Sequence, residues 1–273
     1  MGLPATGKTT FLAALWHLVE SGEIADALRL VKLEGDREYV NDLTRRWLRC
    51  DPMPRTPAGT EQLVSMRLAD QATNNETDVV FPDLSGEAFR NQWSQRTWSE
   101  SYQALVDDAA GTLLVVHPER IVEPYRIDEA RELIEAVGGG NEEPADSSNS
   151  VGWSHDLSPT QVILIDLLQL IEARRTRDRP LRLAILVSAW DTVANTQQPD
   201  AWLTARLPLL RQYLSCNESF WSTRLYGISA QGGDLQQNKT ALLRHMEPSR
   251  RLKIVGADSA AHDLTAPIRW LLS

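Results

Sequence analysis

Several things are scarce in this sequence, and each scarcity excludes a class of protein. Cysteine occurs only at Cys50 and Cys216 in 273 residues. Two are too few for a disulfide scaffold, and they share no metal-ligand spacing. Basic residues are outnumbered, 28 Lys and Arg against 37 Asp and Glu, for a net charge of −9. A chain of that sign is a poor candidate for binding nucleic acid by phosphate neutralisation or for a polybasic membrane anchor. No apolar run approaches the roughly 18 residues that a membrane helix needs. The five histidines, His17, His117, His155, His245 and His262, show neither H-x-x-x-H nor H-E-x-x-H spacing. Residues 1–8 lack the architecture of a secretory signal. The expectation is a soluble, cytoplasmic protein that engages neither nucleic acid nor membrane. At 42% hydrophobic and 24% charged, the rest is an ordinary globular composition with enough apolar material for a large core. Tryptophan, at nine residues, is the one type in excess.

Periodicity along the chain gives a coarse map. Residues 9–21 read as an amphipathic helix through Phe11, Leu12, Leu15, Trp16, Leu18 and Val19, with Gly22 as its stop. A charged helical stretch is expected from there to about residue 49, then a Pro- and Gly-rich loop over 51–60. Residues 63–68 and 77–82 read as an antiparallel strand pair. A Trp-bearing helix spans about 85–108. Residues 111–116, 181–187 and 225–228 are short apolar runs, as expected of strands buried on both faces. A helix is read over 123–137 and a mobile insertion at about 138–157. Ser158 and Pro159 read as N-cap and first helical position of a helix over 160–174. Residues 253–255 suggest a late edge strand and 265–272 a closing helix. There is no internal repeat. Apolar strands alternating with helices predict one α/β domain over 1–273, with a mainly parallel sheet, helices on both faces and one antiparallel edge strand. In such sheets ligands sit beyond the C-terminal ends of the strands.

The motifs fall at those ends. Gly2, Leu3, Pro4, Ala5, Thr6, Gly7, Lys8 and Thr9 spell G-x-x-x-x-G-K-T, the phosphate loop of P-loop NTPases, and Thr10 continues into the helix. Glycines at that spacing let successive N–H groups point at one anion, and the helix adds its positive dipole end. Lys8 would reach the β and γ phosphates, and the Thr9 hydroxyl would bind Mg²⁺. Asp83-Leu84-Ser85-Gly86 follows the strand ending at Pro82. Its carboxylate can hold Mg²⁺ through a water, and the Gly86 N–H can meet a γ-phosphate. Ser188-Ala189-Trp190-Asp191 and Ser229-Ala230-Gln231 close two apolar strands. In this arrangement Asp191 would accept from guanine N1–H and the 2-amino group, which adenine lacks, and the Ala230 N–H would meet O6. The plainer reading of Asp191 is a helix N-cap.

In order and at strand ends, these four motifs resemble a TRAFAC-class GTPase. The start Gly-Leu-Pro-x-x-Gly-Lys-Thr-Thr-Phe-Leu-Ala-Ala-Leu-Trp and the end Asp-Leu-Thr-Ala-Pro-Ile-Arg-Trp-Leu look like the bacterial double-GTPase family, linked to conflict and defence gene clusters. The resemblance spans nearly the whole chain. It implies GTP and GDP as ligands with Mg²⁺, and a GTPase-associated protein encoded nearby as partner. It also implies a switch threonine, better met by Thr60 than by Thr56, gripping Mg²⁺ and the γ-phosphate in the triphosphate state. Arg55 in the same loop is a candidate internal arginine finger, with a solvated loop charge as the plainer reading.

The chain departs from the GTPase pattern twice. Ser188 and Ala189 replace the first two residues of the usual N/T-K-x-D. No lysine stem can then pack on the base, and Trp190 is the residue left to shield the pocket. Glu87 stands where many relatives carry a water-orienting glutamine, and a carboxylate there would be repelled by the γ-phosphate. Trp93 and Trp98 just beyond are core residues or a nucleotide-responsive partner surface. The expected function is a slowly hydrolysing GTP switch acting through a partner. An ATP-dependent ATPase or kinase and a non-hydrolysing nucleotide sensor are the alternatives. One element is missing. A buried strand feeds the phosphate loop in this architecture, yet Met1 directly precedes Gly2. The expectation is that the reading frame begins upstream or that another segment or chain fills the slot. The strands leading to Asp83 and from Gly111 should then not pair directly.

Overall fold

Along Leu181–Val187 the side chains alternate between two cores. Leu183, Ile185 and Val187 belong to one buried cluster, Ala184 and Leu186 to the other. A strand that feeds two cores must be covered on both faces, and the arrangement of helices follows from that. The computed structural model describes residues 1–54, 62–83, 86–124, 158–174, 180–193 and 197–273.

Leu181–Val187 is β5 of a four-stranded sheet ordered β4 (Gly111–Val116), β5, β6 (Trp221–Ser229), β7 (Lys253–Gly256). The first three strands run parallel and β7 is the antiparallel edge. On one face lie α1 (Lys8–Ser21), α2 (Arg37–Leu48) and α9 (Ala266–Leu272), which contribute Leu15, Trp16, Leu43, Trp47 and Ile268 to the first core. On the other face lie α3 (Gly86–Gln95), α4 (Glu100–Asp108), α5 (Thr160–Glu172), α6 (Pro199–Arg206) and α7 (Pro208–Cys216). They contribute Phe89, Tyr102, Leu168, Trp202 and Leu210 to the second. α8 (Leu235–Leu242) precedes β7. The fold is therefore mixed α/β with a largely parallel sheet, as expected. No helix among the described residues is long and apolar enough to cross a membrane.

A second, antiparallel sheet holds β1 (Arg29–Glu34), β2 (Gln62–Asp70) and β3 (Asn75–Asp83) in that order. The β2–β3 hairpin matches the expected pair. β1 corrects the helix expected between Gly22 and residue 49. Its Leu30 and Leu33 lean on the core, and pairing with β2 supplies ladder bonds that outweigh the local helical leaning of its charged residues. Gly35 makes the strand-to-helix turn possible. Its φ is +114°, and a Cβ there would lie 2.5 Å from the Leu63 carbonyl oxygen. Asp36 then caps α2 by accepting from the Tyr39 N–H at 3.0 Å.

Three further boundaries are corrected. The single helix expected over 85–108 is two helices, α3 and α4, separated by Arg96 in the left-handed region (φ 53°) and restarted by Ser99, whose side chain accepts from the Tyr102 N–H. The cap of α5 is Pro159 rather than Ser158, with no side-chain bond. The first-turn Thr160 instead bonds Val122 through both its main chain and its hydroxyl. α5 ends at Glu172, two residues short of the expected stop. Most of the helix read over 123–137 and all of the insertion at 138–157 lie outside the described residues.

The strands that end at Asp83 and begin at Gly111 fall in different sheets. A cavity of about 600 Å³ is lined by Val79 and Phe81 of β3, Thr112 and Leu113 of β4, and Phe11 and Leu12 of α1. Met1 lies along β4 here: its amino group donates to the Leu113 carbonyl at 2.6 Å and its carbonyl accepts from the Val115 N–H at 2.9 Å. Burial, helped by the Lys8 charge, lowers the pKa of that amino group to about 5.

Candidate functional site

The loop that opens the chain curls because three residues occupy positive φ. Gly2 has φ +156°, Ala5 +57° and Gly7 +89°. A Cβ on Gly2 would lie 2.7 Å from the Val115 carbonyl oxygen, so close approach to β4 also requires glycine. Leu3 and Thr6 turn inward and are buried, with the Thr6 hydroxyl closing the curl on the Leu3 carbonyl at 3.0 Å. Pro4 and Ala5 form its outer bend. The ammonium of Lys8 sits inside, donating to the Gly2 and Leu3 carbonyls at 2.8 Å each. Gly7 caps α1 without a side-chain bond, so the first turn, Lys8, Thr9 and Thr10, presents its N–H groups and the helix dipole to whatever lies above. The arrangement suits an anion with several oxygens.

Two further turns rise beside this loop. Ser188, directly after β5, fastens its N–H and its hydroxyl to the Val116 carbonyl at 2.8 and 3.1 Å. Its Cβ is the nearest atom to a Cβ built on Gly7, at 3.4 Å, so the two loops touch. Ala189 adopts the left-handed region (φ 45°) and starts a single 3₁₀ turn, Trp190–Thr192. Trp190 is 7% exposed and packs on Gly227 and edge-on to Trp202, which anchors the turn to the core. Asp191 is exposed and accepts a hydrogen bond from the Ser229 hydroxyl. Ser229 Oγ in turn accepts from the Gly232 N–H at 3.1 Å. The Ala230 carbonyl accepts from Trp47 Nε1 at 2.7 Å, and Gln231 Nε2 donates to the Trp47 carbonyl at 3.4 Å.

The structure thus brings together Gly2–Thr10, Ser188–Asp191 and Ser229–Gln231 at the C-terminal ends of β4, β5 and β6, the edge at which open α/β sheets take ligands. Lys8 and Thr9 also border the cavity lined by Val79–Pro82 of β3, which brings the approach to Asp83 to the same side. Gly86 and Glu87 open α3, whose Phe89 ring lies 5.8 Å from the Lys8 ammonium. The side chains of Asp83 and Glu87 lie outside the described residues, as do Arg55, Thr56, Thr60, Leu84 and Ser85 entirely. Trp93 is a core residue, 8% exposed, and donates to Asp166 at 2.9 Å. Trp98 is half-buried and edge-on to Tyr102.

Sequence reasoning missed Trp47 and Arg251. Arg251 is 3% exposed; its guanidinium lies 3.8 Å from the centre of the Trp47 ring and donates to the Trp47 carbonyl at 2.5 Å. Burial lowers its pKa, against the opposing pull of Cys50 and Glu23. Neither residue belongs to a motif, and they are 204 positions apart, so no local signal announced the pair.

Residues 1–271 match the family model described as Double-GTPase 1, and the chain belongs to that family. No curated protein and no solved structure matches it.

Proposed function

We propose that this Double-GTPase 1 protein is a P-loop switch. In this reading it binds GTP and GDP, hydrolyses GTP slowly, and passes its nucleotide state to a protein partner, the kind that double-GTPase gene clusters would encode beside it. The observation that carries the reading is the convergence of the Gly2–Thr9 curl, Asp191 and the Ala230 loop on one sheet edge. A curl with an internal lysine fits a triphosphate. A carboxylate beside a backbone N–H, on the turns after the next two strands, fits guanine.

Each residue then has a task. Lys8 leaves the Gly2 and Leu3 carbonyls for β and γ phosphate oxygens, exchanging neutral acceptors for charged ones, which form the stronger bonds. Asp191, oriented by the Ser229 hydroxyl, accepts from N1–H and the 2-amino group, and the Ala230 N–H donates to O6. The Thr9 hydroxyl, together with Thr60 and Asp83, is a set of hard oxygen donors suited to Mg²⁺, which supplies neutralisation of the phosphate charge. In hydrolysis a water oxygen attacks the γ-phosphorus, the bond to the β,γ-bridging oxygen breaks, and GDP and inorganic phosphate leave. Gly86 N–H steadies the γ-phosphate. Glu87 orients the water poorly for the charge reason already given, and Arg55 is the candidate finger for the developing charge.

Single-turnover hydrolysis of GTP with Mg²⁺ tests this. The expected rate without a partner is on the order of 10⁻⁴–10⁻² per second, absent in Lys8→Ala. Turnover above about one per second without any partner would contradict a partner-dependent switch. Tight GTP binding with no turnover at all would make the protein a nucleotide sensor instead.

A further inference from the structure

We infer that Trp47 is a positioning residue for guanine O6: its indole N–H holds the Ala230 loop at the height at which the Ala230 N–H meets the base. The inference rests on the guanine reading above. Trp47 closes α2, is fully buried, and packs against the His17 ring at 5.2 Å and the Arg251 guanidinium at 3.8 Å. Its orientation is therefore set by α1 on one side of the chain and by the turn before β7 on the other. A buried indole N–H generally finds an acceptor. Here the acceptor is the carbonyl of the one residue whose N–H is assigned to the base.

Two anchors flank that N–H. On the preceding side, Ser229 is bonded to Asp191. On the following side, the Ala230 carbonyl is bonded to Trp47 and the Gln231 side chain returns to the Trp47 main chain. A second tie, Lys239 to Asp51 at 2.8 Å, joins the segment after the loop to the end of α2. Removing the indole N–H leaves the Ala230 carbonyl without its buried donor and loosens the following side only, where the Gln231 tie to the Trp47 main chain remains. Asp191 keeps its own anchor. The O6 contact should therefore weaken while the contact to the 2-amino group persists. A residue that merely filled the core would not separate the two.

The test uses the full chain with Trp47→Phe and four probes: GTP, 6-thio-GTP (a weak acceptor in place of O6), ITP (no 2-amino group) and inorganic tripolyphosphate. In the parent, GTP should bind more tightly than 6-thio-GTP and than ITP. In the variant the GTP-over-6-thio-GTP preference should fall about tenfold, the worth of one hydrogen bond, with the GTP-over-ITP preference and tripolyphosphate binding retained. An unchanged 6-thio-GTP preference overturns the inference, and so does an equal loss for all four probes. A parent with no GTP-over-6-thio-GTP preference shows instead that the guanine reading itself has failed. Should Trp47→Phe not fold, benzothienylalanine at position 47 keeps the indole shape without the N–H, and the same outcomes decide.

Discussion

At the proposed phosphate end of the site, the cradle for the anion comes from one stretch of main chain, Gly2 to Thr10, shaped by three positive-φ residues and filled by one lysine. At the proposed base end the groups come from three distant stretches. Asp191 is oriented by Ser229, and Ala230 is held by Trp47, itself clamped by Arg251 and His17. The first end is a backbone conformation, so its residue types and spacing are dictated locally. The second is a network of side chains, each dispensable to local structure and each needed to hold the next. Damage at the two ends should therefore differ in kind: loss of binding at the first, loss of discrimination at the second.

The largest effect is expected at the phosphate end. Lys8→Ala removes two charge-assisted contacts, together about 3–5 kcal/mol. Calorimetry should show affinity for GTP, GDP and tripolyphosphate falling together, with the ranking of bases kept. At the base end, Asp191→Asn cannot accept from both guanine donors. It should erase about 2–4 kcal/mol of GTP-over-ATP preference while tripolyphosphate binding stays as in the parent. Equal damage to both readouts by either variant would mean that the two ends are not separable.

A smaller effect tests the scaffold of the base end. A Cβ at Gly227 would lie 2.2 Å from Cδ2 of the Trp190 ring, so Gly227→Ala must push the turn that carries Asp191. Overpacking of this sort costs about 1–3 kcal/mol, or a fall of about 2–5 °C in Tm for a chain of this size. Guanine preference should narrow with it.

The smallest concerns pH. Burial lowers the pKa of His17 despite Glu23 at 3.2 Å and the more distant Glu20, and the Arg251 charge adds to the lowering. The unfolded chain then binds the proton more readily than the folded one. Stability is full above the ordinary histidine value near 6.5 and declines as pH falls below it. His117, lowered chiefly by burial, acts in the same sense. Chemical denaturation between pH 7 and pH 5 should show a shallower loss of stability for His17→Gln than for the parent.

The same contrast explains what could be read in advance. G-x-x-x-x-G-K-T and the apolar runs of β4, β5 and β6 declare themselves because each is a local requirement: a curl needs glycine, and a strand covered twice needs continuous apolar residues. β1 did not, because Arg29–Glu34 is a strand only by virtue of pairing with β2. Gly35, the residue that makes the turn after it, looks like any loop glycine. The break between α3 and α4 rests on Arg96, which carries no sequence mark of the left-handed region it adopts. Trp190 was legible as part of a motif but not as a core anchor, since its burial depends on Gly227 one strand away. The bond between Trp47 and Ala230 spans 183 positions, and nothing near either residue points to the other.

The central claim is that the curl at Gly2–Thr9 and the carboxylate of Asp191 serve one guanine nucleotide. Its most direct test is calorimetric titration of the parent protein with GTP and with ATP, each with Mg²⁺. GTP should bind more tightly by about 2–4 kcal/mol, with one nucleotide per chain. Equal affinity for the two would contradict the account and return the site to an ATP-dependent enzyme or a nucleotide sensor blind to the base.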